Sequence, residues 1–99
     1  MTDSNAIPVE RVGGGRQGAY VIHLPKIDQR AELTWFERDG VRHANRTYVP
    51  DAMRGKGVAG RLVDALIADA REQGFRIVPE CSYVAAAFER HPEWDDLRA

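Results

Sequence analysis

The first half of the chain alternates apolar and polar positions with the period of two that is typical of β-strands. Residues 7–12 and 19–24 form two such runs, and the glycine-rich segment 13–18 between them has the composition of a turn. Within the second run, Tyr20 and Ile22 fall on the same face. We therefore expect these segments to form an antiparallel hairpin.

A second hairpin is predicted directly downstream of the first. Leu33 and Trp35 share one face of a third strand, which ends at Asp39-Gly40, a dipeptide favoured in tight hairpin turns. Residues 41–49 then form a fourth strand, which returns antiparallel to the third.

After Pro50 the apolar period changes from two to 3.6, which predicts one long helix. The positions on its apolar stripe are Ala59, Leu62, Val63, Leu66, Ile67 and Ala70. Gly74 stands where a left-handed residue would close this helix. Residues 75–79 predict a short buried strand, and because a helix separates it from strand four, we expect these two strands to be parallel.

The last predicted element is a short helix over residues 83–90, with Ser82 as its N-cap and Pro92 as its stop. The resulting order, β-β-β-β-α-β-α, predicts an α/β fold with a mixed sheet and helices packed on it. The length allows one domain, residues 1–99, in which we expect residues 1–6 to be disordered.

Composition and charge narrow the class of partners. Hydrophobic residues make up 43% and charged residues 29% of the chain, which is typical of a globular protein. The net charge of −1 provides no overall positive field for a nucleic acid. The apolar runs are far shorter than a membrane span needs, and the start of the chain has no targeting pattern. We therefore expect a cytoplasmic protein that binds neither nucleic acid nor membrane.

No metal site is predicted. Cys81 is the only cysteine, so neither an internal disulfide nor a CxxC pair can form. His23 and His43 have no partner at ligand spacing and are interpreted as surface imidazoles. The acidic cluster within residues 93–96 has no paired His or Cys, which indicates a solvated tail.

The glycine-rich segment 54–60 carries the clearest candidate chemistry. It opens the predicted long helix, where glycines let backbone N–H groups approach an anion that the helix dipole also favours. This arrangement predicts a phosphate-binding site. The alternative is a flexible loop whose Arg54 and Lys56 side chains are solvated.

The Walker A pattern, Gly-x-x-x-x-Gly-Lys-Ser/Thr, does not describe this segment. Pro50 occupies the position of its first glycine, and Gly57 follows the lysine, so no hydroxyl is available for magnesium. A P-loop nucleotidase is therefore excluded.

The dinucleotide pattern Gly-x-Gly-x-x-Gly is matched by Gly55, Gly57 and Gly60, and Glu80 stands where an acidic residue would bind ribose. However, five residues separate these glycines from the preceding strand, and that strand carries several charged side chains instead of a buried apolar run. The antiparallel strands upstream also do not suit a doubly wound sheet. We therefore reject a dinucleotide site.

The segment does resemble the signature Gln/Arg-x-x-Gly-x-Gly/Ala of the GNAT superfamily of N-acetyltransferases, with Arg54, Gly57 and Ala59 at the matching positions. In that family the signature also follows the fourth strand and opens the long helix, and its backbone amides hold the pyrophosphate of acetyl-coenzyme A. The resemblance implies the same role for Arg54, Gly55, Lys56, Gly57, Val58, Ala59 and Gly60.

A closer resemblance, to small single-domain GNAT-like proteins, covers most of the chain. The matching blocks are residues 46–49, 55–59, 62–63, 79–84 and 90–93. Two departures concern Arg46, where many members have histidine, and Phe88, where many have an aromatic residue with a hydroxyl. They weaken the catalytic assignment and leave the cofactor assignment unchanged.

The resemblance also implies three residues at the reacting group. The backbone N–H of Val49 would polarise the thioester carbonyl. Cys81 would lie near the thioester, with a thiol pKa that a helix start can lower. Tyr83 would protonate the departing thiolate. The alternatives are that Cys81 is a small buried hydrophobe and that Tyr83 packs in the core.

The resemblance as a whole implies an N-acetyltransferase that moves the acetyl group of acetyl-coenzyme A to an amine of a protein or a small molecule, directly or through Cys81. The alternative is a coenzyme A-binding module without transferase activity. Full-length members wall the acceptor site with two helices between the first strands and with a terminal strand pair. We expect both walls to be absent here, since residues 13–18 form only a turn and the sequence ends soon after His91. An open site suits a large acceptor or a homodimer, and both a monomer and a homodimer remain possible.

Overall fold

The computed structural model describes residues 7–99, and the expected disorder of residues 1–6 lies outside this range. The strands are β1 (Glu10–Gly14), β2 (Gln17–Ile22), β3 (Ala31–Arg38), β4 (Val41–Tyr48) and β5 (Arg76–Pro79). The helices are α1 (Val58–Gln73) and α2 (Ser82–Arg90), with 3₁₀ helices at Asp51–Met53 and Pro92–Leu97. The predicted order of strands and helices is confirmed, and the α/β fold agrees with the GNAT-like fold expected from the sequence.

The five strands form one sheet in the order β1-β2-β3-β4-β5. The first four are antiparallel neighbours, and β4 and β5 are parallel, as the intervening helix predicted. Asp39 and Gly40 have φ values of 56° and 78°, which suit the tight turn expected there.

The first hairpin differs from its prediction at both strands. β1 starts at Glu10 and not at residue 7, and β2 starts at Gln17, so part of the expected glycine turn belongs to the ladder. A Cβ atom on Gly18 would lie 2.6 Å from the carbonyl oxygen of Val12 and 2.7 Å from the Trp35 ring. Glycine is thus needed here because the two strands and the indole pack too closely for a side chain.

The hydrophobic core lies on one face of the sheet, which we call the helix face. Cross-strand partners share a face, so Tyr20 and Leu33 belong to it together, as do Trp35 and Ala44. These residues form a single buried cluster with apolar side chains of both α-helices and of the second 3₁₀ helix. We call the opposite side of the sheet the open face. Val21 lies on this face and is buried, but it does not belong to the core cluster.

Helix α1 ends as its sequence predicts. Gly74 has a φ of 80°, and its N–H donates to the carbonyl oxygen of Ala70 at 2.8 Å. The predicted cap of α2 is wrong: Cys81, not Ser82, is the N-cap, and its carbonyl oxygen accepts the N–H of Ala85 at 2.9 Å. None of the helices in residues 7–99 is long and apolar enough to cross a membrane.

A buried carboxylate, Asp69, ties the C-terminal part of α1 to the first hairpin. Arg11 donates to its two oxygens at 2.8 and 2.9 Å, and the Tyr20 hydroxyl donates to it at 2.9 Å. Burial by itself raises the pKa of the Asp69 carboxyl, but these hydrogen bonds and the nearby positive charges outweigh it and hold the pKa below its usual range. Asp69 is therefore a charged acceptor inside the fold.

Arg42 extends this network to β4. Its guanidinium lies between two rings, 3.7 Å from the centroid of Trp35 and 4.0 Å from that of Phe75, and it donates to the Tyr20 hydroxyl at 2.9 Å. Cation–π contact and the hydrogen bond compensate for burying a charge on the helix face. This network attaches the C-terminal part of α1 to the sheet, whereas Gly57 lies at the N-terminal end of the helix.

Candidate functional site

Strands β4 and β5 separate where the candidate site begins. Their ladder ends at Ala44, which pairs with Pro79, whereas β4 continues to Tyr48. The carbonyl oxygen of Ala44 then accepts two backbone N–H groups, those of Glu80 and Cys81, each at 3.0 Å. Beyond this point the β5 side of β4 has no strand partner among residues 7–99, which leaves a gap between the two strands.

A β-bulge in β4 sets which side chains reach this gap. Trp35 pairs with Ala44 and Thr34 pairs with Arg46, so Asn45 is an extra residue without a ladder partner on β3. Because of the bulge, Thr47 returns to the helix face, opposite Leu33.

A cleft of about 400 Å³ lies between the end of β4, the start of α1 and the start of α2. Its lining residues are Thr47, Val49, Met53, Arg54, Gly55, Gly57, Val58, Ala59, Gly60 and Tyr83. The structure therefore brings together eight of the ten site residues that the sequence predicts. Lys56 and Cys81 do not line the cleft, although Cys81 contacts Thr47, which does.

The start of α1 presents free backbone donors to this cleft. Gly57 is the N-cap, with a left-handed φ of 73° and no side-chain cap. The first N–H bonded within the helix is that of Arg61, which donates to the carbonyl oxygen of Gly57. The preceding N–H groups of α1 are thus available to an anion. Apart from the adjoining backbone, a Cβ atom on Gly55, Gly57 or Gly60 would meet no protein atom within 4 Å, so these glycines leave open space for a ligand.

The Cys81 thiol is half-buried at the N-terminus of α2. Its Sγ lies 3.2 Å from Oγ1 of Thr47. Burial by itself raises the pKa of the thiol, but the Thr47 hydroxyl and the backbone N–H groups of Val84 and Tyr83 outweigh it, so the pKa lies below its ordinary value. The Thr47 hydroxyl and the helix start thus make this thiol more acidic than an ordinary cysteine, and the contribution of the helix start is the one expected from the sequence.

Arg54 is the one charged side chain of the cleft lining. Its Nε lies 3.1 Å from a carboxylate oxygen of Asp51, and its side chain is 74% exposed. An exposed ion pair of this kind is weak, so the guanidinium can exchange Asp51 for a phosphate at little cost.

Two further features were not predicted from the sequence. Thr47 and Met53 line the cleft, and only the position of Thr47 beside Val49 at the end of strand four could have indicated this. His43, interpreted as a surface imidazole, is partly exposed, and it has partners that were not predicted: its Nδ1 lies 2.7 Å from Oε2 of Glu80, and its ring stacks on Phe36 at 4.6 Å. The glutamate partner is 37 residues away along the chain, which no local pattern indicates.

This chain was compared with known protein families. The model of a family described as GCN5-related N-acetyl-transferase matches residues 19–97. This range extends from within β2 to the end of the second 3₁₀ helix and includes every residue of the cleft lining. The match confirms the resemblance inferred from the sequence.

Proposed function

The chain belongs to the GCN5-related N-acetyltransferase family, and from this premise we propose that it binds acetyl-coenzyme A in the cleft at the start of α1 and transfers the acetyl group to an amine. The observation that carries the proposal is the set of uncapped N–H groups at this helix start, in the cleft that the family signature lines. Acetyl-coenzyme A supplies the acetyl group as a reactive thioester when it is bound.

The residues of the cleft fit the parts of this ligand. The N–H groups of Val58, Ala59 and Gly60 and the positive end of the α1 dipole suit a pyrophosphate. Arg54 adds a guanidinium at the cleft rim. The gap between β4 and the segment after β5 is open to an extended arm that would pair with the unpaired edge of β4.

Three groups of the chain are available for chemistry at the gap, and the third is used only on the covalent route. The backbone N–H of Val49 would donate to the acetyl carbonyl oxygen and stabilise the charge that develops on it. The Tyr83 hydroxyl, at the cleft, would return a proton to the departing thiolate. The Cys81 thiol, whose pKa is lowered by Thr47 and the α2 start, would provide a nucleophile to which the acetyl group can pass before it reaches the amine.

The alternative function, a coenzyme A-binding module without transferase activity, is supported by the first hairpin. β1 and β2 are joined directly at Gly15 and Arg16, so this connection contributes no helix to an acceptor site. The two functions make different predictions only for the fate of the acetyl group, and binding alone does not distinguish them.

The test compares ligands and then acceptors. Calorimetry should give clear binding of acetyl-coenzyme A, and S-acetyl-pantetheine, which lacks the nucleotide phosphates, should bind at least about tenfold more weakly because several charge-assisted hydrogen bonds are lost. NADH should not compete. Mass spectrometry should then show acetylated amine when lysine or hydroxylamine is added. Equal affinity for both thioesters would contradict the phosphate site, and binding without transfer would support the module.

The covalent route is tested at Cys81. On this route, incubation with acetyl-coenzyme A alone should add one acetyl mass to the wild type and none to Cys81→Ala, since a thiolate at this position is required. Cys81→Ser should keep coenzyme affinity and lose most of the activity, because an unactivated hydroxyl is a much weaker nucleophile. An active Cys81→Ala protein without adduct would establish direct transfer and leave Cys81 a packing role.

A further inference from the structure

A second cavity adjoins the cleft at the end of β4, and we call it the side pocket. Its volume is about 440 Å³, and its lining residues are Gln29, Thr47, Tyr48, Val49, Asp51 and Arg54. Thr47, Val49 and Arg54 also line the cleft, so the two cavities meet at these residues. Tyr48, on the open face of the sheet, lines the side pocket alone. A ligand in the side pocket would therefore lie next to the cleft at Val49.

The two cavities share a cation, whereas the carboxylate belongs to one of them. Arg54 lines both cavities, and Asp51 lines the side pocket but not the cleft. Nε of Arg54 lies 3.1 Å from Oδ1 of Asp51, across the first 3₁₀ helix. In this arrangement the Arg54 guanidinium neutralises the carboxylate of the side pocket.

The backbone of the first 3₁₀ helix holds these two side chains in place. The N–H of Arg54 donates to the carbonyl oxygen of Asp51 at 3.1 Å. Met53, between them, is fully buried in the core cluster and anchors the turn. The side chains of Asp51 and Arg54 are 94% and 74% exposed. They can therefore change partners while the backbone stays where it is.

A phosphate held at the start of α1 would compete with Asp51 for the guanidinium. Arg54 binds a phosphate with stronger hydrogen bonds than those of an exposed ion pair, so it would turn towards the cleft when coenzyme A is bound. Asp51 would then present an unneutralised carboxylate to the side pocket, which attracts a cation. The nitrogen that receives the acetyl group must be neutral when it attacks. The positive charge that Asp51 attracts therefore lies on a second group of the acceptor.

We propose that the side pocket binds the acceptor, and that Asp51 selects acceptors that carry a positive charge besides the reacting nitrogen. This inference rests on the proposed function and adds a specificity-determining residue to it. Because Pro50 has an extended backbone, the Cα atoms of Val49 and Asp51 are at most about 7 Å apart. A short diamine spans such a distance, with one nitrogen near Val49 and the other at Asp51. Coenzyme A and the diamine should bind cooperatively, since each takes one partner of the ion pair.

The first test measures this cooperativity by calorimetry, with free coenzyme A so that no acetyl group is transferred. The probes are 1,4-diaminobutane and its uncharged counterpart 1,4-butanediol. Saturating coenzyme A should raise the affinity for the diamine about fivefold, and saturating diamine should raise the affinity for coenzyme A by the same factor. Butanediol should show no such coupling.

The second test measures specificity in the transfer reaction. Diaminobutane carries a second charge that n-butylamine lacks. With acetyl-coenzyme A, the wild type should have a kcat/KM about fivefold higher for diaminobutane, counted per amino group. Asp51→Asn removes the charge and keeps the size of the side chain, so it should treat the two amines alike and lose the cooperativity.

Two variants separate the ion pair from general electrostatics. Asp64→Asn makes the same change at an exposed position of α1 and should keep the wild-type affinities and cooperativity. Arg54→Gln should weaken coenzyme A binding, yet it should raise the affinity for diaminobutane alone about threefold, because Asp51 then has no competing partner. Asp51 and Arg54 are exposed, so both variants should fold.

The outcomes distinguish this inference from the function on which it rests. A wild type that binds no coenzyme A, or that acetylates neither these amines nor lysine and hydroxylamine, contradicts the proposed function and overturns the inference with it. If the wild type binds coenzyme A and is active, three results overturn the inference alone. These are diamine binding that coenzyme A does not change, cooperativity that survives Asp51→Asn, and a diamine affinity that Arg54→Gln leaves unchanged.

Discussion

Replacing Gly60 with leucine should abolish acetyl-coenzyme A binding while leaving the fold intact or more stable. Gly60 lies in the first turn of α1 and lines the cleft, and apart from the backbone of its own helix no protein atom lies within 4 Å of the position that a Cβ would take. Leucine is a better helix former than glycine by several tenths of a kcal/mol. Its side chain would, however, fill the space over the free N–H groups. Calorimetry should show an affinity reduced by at least about 100-fold, equivalent to about 2.7 kcal/mol.

Gly60→Ala is the matched control for this variant. It adds one methyl group, gains helix propensity, and should raise the melting temperature while keeping most of the affinity. Gly57 is a poorer position for this test, because its φ of 73° would strain any other residue. A Gly57 variant would therefore combine a folding defect with a binding defect. Wild-type affinity in folded Gly60→Leu would place the coenzyme elsewhere on the molecule.

Asp69→Ala should lower the free energy of unfolding by about 3 to 5 kcal/mol. The change removes the acceptor for Arg11 and Tyr20 and takes a compensating charge from the vicinity of the buried Arg42. Urea unfolding should show the loss at neutral pH. Asp64→Ala, at an exposed position of the same helix, is the control and should change the unfolding free energy by less than about 0.5 kcal/mol. Equal effects of the two variants would contradict a central role for the network.

The same variant should show how the contribution of Asp69 depends on pH. The pKa of Asp69 is lower in the folded chain than in the unfolded chain, so its stabilising effect is complete above the unfolded value of about 4 and is lost as the pH falls through the folded value. The difference in unfolding free energy between the wild type and Asp69→Ala should therefore be constant near neutral pH and shrink in acid. A difference that grows in acid would give the opposite sign and contradict the charged state of Asp69.

The sequence predicted the elements whose signals are local. The apolar stripe of α1 and the turns at Asp39 and Gly74 each depend on a few neighbouring residues, and each was found as expected. The extent of the first hairpin was less predictable, because Gly18 is required by the Trp35 ring of another strand. Local composition cannot show such a contact.

The candidate site also has a part that local sequence predicts and a part that depends on distant residues. The glycine segment could be predicted because its residues are consecutive and bind with backbone groups. The partners of His43 and Asp69 could not, since Glu80 and Arg11 are 37 and 58 residues away in the sequence. Each of these residues was interpreted, or overlooked, as an ordinary surface or helix residue until the sheet brought its partner to it.

The bulge at Asn45 means that the number of residues in β4, and not the chemistry of any one side chain, determines which residues after the bulge face the site. Before it, even-numbered residues of β4 such as Arg42 and Ala44 point towards the helices; after it, the odd-numbered Thr47 does so. The residues of β4 that face the helices are therefore even-numbered before Asn45 and odd-numbered after it. If Asn45 instead joined the ladder as an ordinary strand residue, every amino acid would be retained, yet Thr47 would turn away from Cys81 and Tyr48 would face the helices.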